Sequence, residues 1–244
     1  MSTELKDKVA VVTGGTRGIG YSIAEALLAE GAKVFLCGRD PTALKRALDA
    51  LGKDGGRDRV DGVTADVSRY DDCRRLIEAA VKRFGGLDIL VNNAGTGVFK
   101  PVDQLSVDEW DRTLGTNLSG VFYCCHEAIP HLRQRGGGYI FNISSLAGIN
   151  PFAGGSAYNA SKFGLNGFSE AMMQDVRYDG IRVSYIMPGS VATDFAGAPG
   201  SARHEAWKLT GRDIAKAVVD LYKFPPSSLA SRIEMRPSQP PRKK

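Results

Sequence analysis

The chain has 244 residues, 43% of them hydrophobic, which is enough apolar material for one large α/β domain or two small domains. The formal net charge is +5, and three of these charges sit in a short tail at residues 242–244, so the remaining residues carry only +2. That balance argues against nucleic-acid binding, which needs a basic face on the folded body. No apolar stretch approaches the roughly 20 residues of a membrane span.

Short apolar runs rich in β-branched residues alternate with helical patterns along the chain. The predicted strands are residues 8–14, 33–38, 59–66, 87–95, 138–144, 182–189 and 231–236. Near-continuous apolar strands separated by helices indicate a parallel sheet covered on both faces. With no linker or repeat in between, we expect one α/β domain over residues 1–236. Residues 237–244 form a Pro-rich basic tail that we expect to be disordered.

Helix start signals follow several of these strands. Asp40 precedes a proline and is predicted to cap the helix that begins there. Ser68 and Asp71 resemble a capping box at the head of the next helix. Ser106 and Glu109 have the same arrangement before a long predicted helix over residues 107–134.

Two further features concern the predicted helices after residue 106. Pro130 is expected to kink the helix over residues 107–134 or to mark its last turns. A second long helix is predicted over residues 156–178. In parallel sheets covered by helices, ligands bind beyond the carboxyl ends of the strands, so the loops there are the place to look for chemistry.

The first predicted strand runs into the glycine-rich segment TGGTRGIG, residues 13–20. Gly14, Gly18 and Gly20 follow the spacing G-x-x-x-G-x-G, which differs from the G-x-G-x-x-G fingerprint of many dinucleotide-binding proteins. Glycines here would let backbone amides approach a pyrophosphate, and the N-terminus of the following helix would attract its charge. The segment therefore predicts a nucleotide site.

The end of the second predicted strand indicates which nucleotide. An acidic residue at this point would bind a ribose 2′-hydroxyl, whereas an arginine would pair with a 2′-phosphate. The sequence has Arg39 there, and Arg17 inside the glycine segment is able to reach the same group. Asp40 is the competing candidate for a ribose diol, but its role as a helix cap explains it. We therefore predict NADP as the cofactor.

Polar residues in the second half suggest acid–base chemistry. Ser145 lies in the loop after the fifth predicted strand, and Tyr158 and Lys162 lie four residues apart, which places them on one face of a helix. A cation about 4 Å from a phenol would stabilise the phenolate by on the order of 4 kcal/mol at an effective dielectric constant of 20. The pair thus fits a phenol acidified for proton transfer.

The four cysteines are Cys37, Cys73, Cys124 and Cys125. None forms a C-x-x-C pair, and a secreted disulfide framework is atypical of a chain this size. His126, His131 and His204 do not cluster with Cys or Asp at metal-ligand spacing, so we expect no metal site. The N-terminal segment lacks a signal-peptide pattern. We expect a cytoplasmic protein.

Several segments together resemble the short-chain dehydrogenase/reductase family, in the family's order and spacing from about residue 5 to residue 195. They are TGGTRGIG, NNAG (92–95), Asn117, Ser145, YNASK (158–162) and PGSVATD (188–194). The resemblance implies a single-domain, Rossmann-type doubly wound sheet. The C-terminal segment SRIEMRPSQPPRKK departs from the family's usual ending, so the geometry of a tetramer and the substrate subgroup both stay open.

The resemblance also implies a catalytic tetrad of Asn117, Ser145, Tyr158 and Lys162. In it, the tyrosine is the general acid, the serine donates a hydrogen bond to the substrate oxygen, and the asparagine holds a water. The residues implied to bind the cofactor are Gly14, Thr16, Arg17, Gly18, Ile19, Gly20, Arg39, Asp66, Val67, Asn93, Ala94, Gly95, Tyr158, Lys162, Pro188, Gly189, Val191 and Thr193.

The function expected from these residues is NADPH-dependent reduction of a ketone, or oxidation of the corresponding alcohol. A 3-oxoacyl thioester, a 3-hydroxy acid, a diketone and a small ketone all remain candidate substrates, and a silent NADP-binding sensor or scaffold is the alternative of another class. Phe99, Phe152 and Phe195 are candidates to line an apolar pocket, although aromatic residues in loops are as often part of the core. Residues 192–211 are short for a substrate lid, and their Ala and Gly content suggests mobility.

The two long helices carry more apolar residues than one core face needs. Examples are Val121, Phe122, Phe163, Phe168, Met172 and Met173. Members of the family pair such helices, so the resemblance implies a homodimer or homotetramer.

Overall fold

Seven parallel strands form one sheet, in the order β3-β2-β1-β4-β5-β6-β7. The computed structural model describes residues 4–53, 56–193, 195 and 206–241. The strands are β1 (Val9–Val12), β2 (Lys33–Gly38), β3 (Val60–Thr64), β4 (Ile89–Asn92), β5 (Gly138–Ile143), β6 (Ile181–Pro188) and β7 (Arg232–Met235). The helices are α1 (Gly18–Ala29), α2 (Pro41–Leu51), α3 (Tyr70–Phe84), α4 (Val107–Leu114), α5 (Gly120–Gln134), α6 (Ser156–Val176) and α7 (Gly211–Tyr222).

The strand order reverses direction at the centre of the sheet. The chain builds outward from β1 to β3, returns to place β4 on the other side of β1, and then continues to β7. A crevice opens where two such halves diverge, at the carboxyl ends of the central strands. The predicted doubly wound, single-domain sheet of about seven strands is confirmed, although most strands are shorter than predicted.

Apolar side chains fill both faces of the sheet. One cluster packs α1, α2 and α7 on one face, and the other packs α3, α5 and α6 on the opposite face. Every residue of β1, β4 and β5 is buried, as expected of strands covered on both sides.

The helix starts agree with prediction in two cases of three. Asp40 accepts hydrogen bonds from two backbone amides in the first turn of α2, and Ser106 and Glu109 form a capping box at α4. The capping box predicted for Ser68 and Asp71 is wrong. The helix α3 begins later, at Tyr70, and the Ser68 hydroxyl instead donates to the carboxylate of Asp66, at 2.8 Å.

The helix predicted over residues 107–134 contains a π-helical turn, Gly115–Ser119, between α4 and α5. Such a turn holds one extra residue, and it is frequent at functional sites. Here it turns Thr116 and Asn117 into the interior, where both are buried. Pro130 lies in the last turns of α5, as predicted.

Two observations concern the predicted tail and membrane spans. In the part of the chain that the structure describes, no helix combines the length and the apolar composition that crossing a membrane requires. Residues 237–241 follow β7 and are mostly exposed, while Arg242, Lys243 and Lys244 lie outside the described residues.

Candidate active site

A cavity of about 1390 Å³ opens at the carboxyl ends of the central strands, where the strand order reverses. It is lined by all of the predicted site residues except Gly20 and Asn117, which lie behind the lining. The predicted residues come from eight separate stretches of sequence, and the fold brings them to one edge of the sheet. The segment expected to be mobile, residues 192–211, lies largely outside the described residues.

Glycines allow the turn after β1 to pack against the end of β4. Gly14 has a φ of +62°, and a Cβ there would lie 2.9 Å from the Cα of Ala94. A Cβ at Gly20 would lie 2.3 Å from the Asn93 side chain, which donates to the backbone oxygens of Thr13 and Gly14. A side chain at either glycine would therefore displace the turn, and the Asn93 side chain anchors it.

Three arginines stand at the cavity end formed by the glycine turn and α2. Arg17 and Arg39 were predicted, whereas Arg46 was missed because its distance from the end of β2 matches no motif. None of the three forms an ion pair among the described residues. This holds even for Arg39, whose neighbour Asp40 carries a carboxylate. That carboxylate accepts backbone amide protons at the helix start, which supports its prediction as a cap.

Asp66 and Val67 end the stretch after β3 and line the same part of the cavity. The Asp66 carboxylate accepts from the amide and the hydroxyl of Ser68, and its own amide donates to Asp72 at 2.8 Å. This last hydrogen bond lowers the pKa of Asp72. The carboxylate of Asp66 thus shapes the loop from which both residues line the cavity.

Tyr158 and Ser145 meet inside the cavity. Burial raises the pKa of the Tyr158 phenol, and a hydrogen bond with the Ser145 hydroxyl opposes this by stabilising the phenolate. The Ser145 hydroxyl also accepts from the amide of Ala147, at 3.1 Å, which fixes its orientation. At neutral pH the phenol is therefore protonated, the state in which it can donate a proton.

The Lys162 ammonium was expected to lie against the phenol oxygen of Tyr158, but it is held elsewhere. Its ammonium donates to the carbonyl oxygen of Ile143 at 2.9 Å and lies 5.8 Å from the centroid of the Tyr158 ring. The side chain is buried, and burial lowers the pKa of Lys162 to about 8. The net direction of the Tyr158 pKa is upward, so burial outweighs the lowering of this pKa expected from Lys162.

The side chain of Asn117 connects three parts of the site. Its oxygen accepts from the amide of Thr96, and its nitrogen donates to the Thr96 carbonyl oxygen, both at 2.8 Å, and to the Ser161 hydroxyl at 3.0 Å. Ser161 in turn donates to the carbonyl oxygen of Tyr158. Both amide protons of Asn117 are thus used within the protein, and the predicted water would have to be held by other atoms.

Two asparagines of α6 that were missed hold the loop that carries the predicted catalytic serine. Asn159 donates to the carbonyl oxygen of Ala147 at 2.6 Å. Asn166 donates to the carbonyl oxygen of Gly148 at 3.0 Å and accepts from the hydroxyl of Ser144 at 2.6 Å. Both are buried and share one helix face with Lys162. Their spacing of three and four residues around the lysine was the signal available in the sequence.

Comparison with protein families shows which family the chain belongs to. The model of a family described as short chain dehydrogenase matches residues 8–203, a span that includes the glycine turn, the serine loop and α6. The chain is a short-chain dehydrogenase.

Relatives of this short-chain dehydrogenase include uncharacterized oxidoreductases of staphylococci. One from Staphylococcus aureus strain USA300 is 34% identical over 235 residues, covering 96% of this chain and 99% of the relative. Another, from Staphylococcus saprophyticus, is 32% identical over 234 residues, with the same shares of the two chains covered. The match therefore extends over nearly the whole of both proteins.

Two solved structures share the fold. A metagenomic short-chain oxidoreductase in complex with NADP is 35% identical, with a TM-score of 0.84, and the match covers 98% of this chain and 100% of the other. An alcohol dehydrogenase from the archaeon Thermococcus sibiricus, complexed with 5-hydroxy-NADP, is 29% identical, with a TM-score of 0.86. That match covers 97% of this chain and 99% of the other.

Proposed function

We propose that this short-chain dehydrogenase is an NADPH-dependent ketone reductase that also oxidises the corresponding secondary alcohol. The observation that carries the proposal is the convergence of Ser145, Tyr158 and Lys162 in the cavity that begins at the glycine turn. A protonated phenol beside a serine hydroxyl suits a carbonyl oxygen that gains negative charge.

The residues at the glycine turn fit a dinucleotide. Gly14 and Gly18 line the cavity where α1 begins, so that backbone amides and the helix N-terminus there suit a pyrophosphate. The guanidinium groups of Arg17, Arg39 and Arg46, which form no ion pair with any residue that the structure describes, supply positive charge for a 2′-phosphate. The two NADP-bound structural neighbours support the same choice. NADPH, when bound, supplies the hydride for the reduction.

The residues of the chain supply the proton and hold the substrate oxygen. Tyr158 donates its phenolic proton to that oxygen, and the Ser145 hydroxyl donates a second hydrogen bond to it. The Lys162 ammonium stabilises the phenolate that remains, and we assign it the ribose of the nicotinamide as well. The remaining cofactor contacts are those expected from the sequence, with Val191 and Thr193 at the carboxamide.

The direct test is a decrease in NADPH absorbance with a panel of ketones, diketones and 3-oxoacyl thioesters. We expect turnover with at least one carbonyl class and clear preference for NADPH over NADH. Binding of NADPH with no turnover of any carbonyl would contradict the proposal and would favour a sensor or scaffold.

We predict that Arg39→Asp shifts the preference from NADPH toward NADH by at least tenfold. The change removes a charge-assisted contact and places a carboxylate where it repels a 2′-phosphate. The ratio of kcat/KM for the two cofactors measures the effect. As a control, Arg57→Asp changes an exposed arginine that does not line the cavity and should leave the ratio unaltered. An unchanged ratio in Arg39→Asp would exclude this role.

The α5 and α6 surfaces support self-association. Phe122 and Phe163 are 48% and 44% exposed, and Phe122 contacts Phe168 and Tyr123 in one aromatic surface. Single exposed apolar residues are common, but a contiguous aromatic surface marks an interaction site. Val121 and Met172 do not belong to it, which corrects the sequence-based expectation, because both are buried in the core.

We predict a dimer or tetramer in which these helices pair. Light scattering at micromolar concentration should give a multiple of the chain mass. The double variant Phe122→Asp with Phe163→Asp should give a lower mass, because association would bury two unpaired charges at the interface. Phe224→Asp, which alters a Phe of similar exposure after α7, should leave the mass unchanged. A wild-type monomer would refute the prediction.

A further inference from the structure

Two phenylalanine rings stand beside Tyr158 inside the cavity. Phe99 and Phe195 both line it, and the centroid of each ring lies 5.6 Å from the centroid of the Tyr158 ring. Phe99 meets Tyr158 edge-on, at 82°. Phe152 packs against Phe99 at 5.7 Å but is not part of the lining, so two of the three candidate rings line the pocket. We call Phe99, Tyr158 and Phe195 the aromatic wall.

Glycines set the positions of these rings. A Cβ at Gly97 would lie 3.0 Å from Phe99 and 3.1 Å from Phe195, so both rings converge on bare backbone. The loop that carries Phe99 is attached to the loop before α6, since the Lys100 amide donates to the carbonyl oxygen of Gly154 at 2.8 Å. The Phe99 side of the wall is therefore formed before any substrate arrives, which reduces the entropy cost of binding.

The wall leaves apolar surface facing the cavity. Phe99 is 46% exposed and Phe195 is 42% exposed, and both line the cavity. Covering such surface is favourable, and aromatic groups gain additional stabilisation from edge-to-face and offset contacts. Lys100, the charged neighbour of Phe99, has its ammonium paired with Glu109 at 2.6 Å. The three rings of the wall are uncharged, so the wall suits a flat apolar group.

We propose that the substrate is an aryl ketone, with its aromatic ring one bond from the carbonyl carbon and packed against the aromatic wall. When the carbonyl oxygen is hydrogen-bonded to the Tyr158 hydroxyl, a ring attached directly to the carbonyl carbon lies next to the rings of the wall. The carbonyl carbon gains the hydride of NADPH and the oxygen gains the phenolic proton, so the products are a benzylic alcohol and NADP⁺. This inference rests on the proposed function and names its substrate class.

Two measurements on the whole protein test the aromatic wall. The first compares kcat/KM for acetophenone and butanone with NADPH, and we expect the wild type to favour acetophenone at least tenfold. Phe99→Ala and Phe195→Ala should each reduce this ratio by about tenfold, since each removes an aromatic contact and apolar area. Phe99→Leu should reduce it less, and Phe224→Ala, far from the cavity, should not change it.

The second measurement is calorimetric binding of acetophenone and butanone to the NADP⁺ complex, in which no hydride is present. We expect acetophenone to bind at least tenfold more tightly. Equal binding, or a kcat/KM for a short 3-oxoacyl thioester that exceeds that for acetophenone, would overturn the inference while leaving the reductase activity intact. Selective binding of acetophenone without turnover of any ketone would support the wall and refute the proposed function.

Discussion

Replacement of Tyr158 by Phe is expected to lower kcat for ketone reduction on the order of 10³-fold, the size of effect typical of losing a general acid. The variant removes the hydroxyl but keeps the ring, so contacts with Phe99 and Phe195 are retained. Burial raises the pKa of Tyr158 in the native protein, so the lost group is a phenol that carries its proton at neutral pH. Steady-state reduction with the best ketone measures the loss.

The control for this variant is Tyr178→Phe, which makes the same change at a tyrosine that is 93% exposed just beyond α6. It should leave kcat unchanged. Circular dichroism should show the same fold for both variants. If Tyr158→Phe keeps most of its activity, the phenol is not the acid, and another group in the cavity must donate the proton.

Substitution of Lys162 by Met is expected to lower kcat/KM on the order of 10²-fold at neutral pH. The ammonium lies 5.8 Å from the centroid of the Tyr158 ring, in a buried site where charges are screened weakly. Its loss raises the pKa of the phenol, since no cation remains to stabilise the phenolate. Alcohol oxidation needs the phenolate, so its activity should appear at a higher pH than in the wild type. Lys45→Met, on the exposed face of α2, is the control.

The double variant shows whether the two residues act as a unit. If Lys162 acts through Tyr158, then Tyr158→Phe with Lys162→Met should be little slower than Tyr158→Phe alone. Losses in kcat that multiply would instead show that the lysine acts independently, for example by holding the cofactor ribose. A pH profile of Lys162→Met that coincides with that of the wild type would exclude its effect on the phenol.

Features encoded by neighbouring residues were predictable from the sequence. The glycine turn, the helix caps at Asp40 and Ser106, and the pair Tyr158 and Lys162 each depend on residues within one turn or one helix. The parallel sheet followed from apolar runs that must be buried on both faces. These features are local or periodic, so a sequence pattern determines them.

Features that depend on contacts between distant segments were not predictable. The Lys162 ammonium bonds to Ile143 because α6 packs beside the end of β5, and no spacing rule specifies that carbonyl. The π-helical turn at Asn117 has no sequence signature of its own. Ser68 is a local exception, because its hydroxyl donates to the carboxylate of Asp66 two residues earlier instead of capping the helix.

The asparagines of α6 have a consequence for how the site moves. Asn159 and Asn166 bind Ala147 and Gly148, so the serine loop is attached to the helix that carries the tyrosine. A displacement of α6 would therefore move the Tyr158 and Ser145 hydroxyl groups together. A motion that widens or narrows the cavity would then change how a substrate enters, while the distance between the Tyr158 and Ser145 hydroxyl groups stays the same.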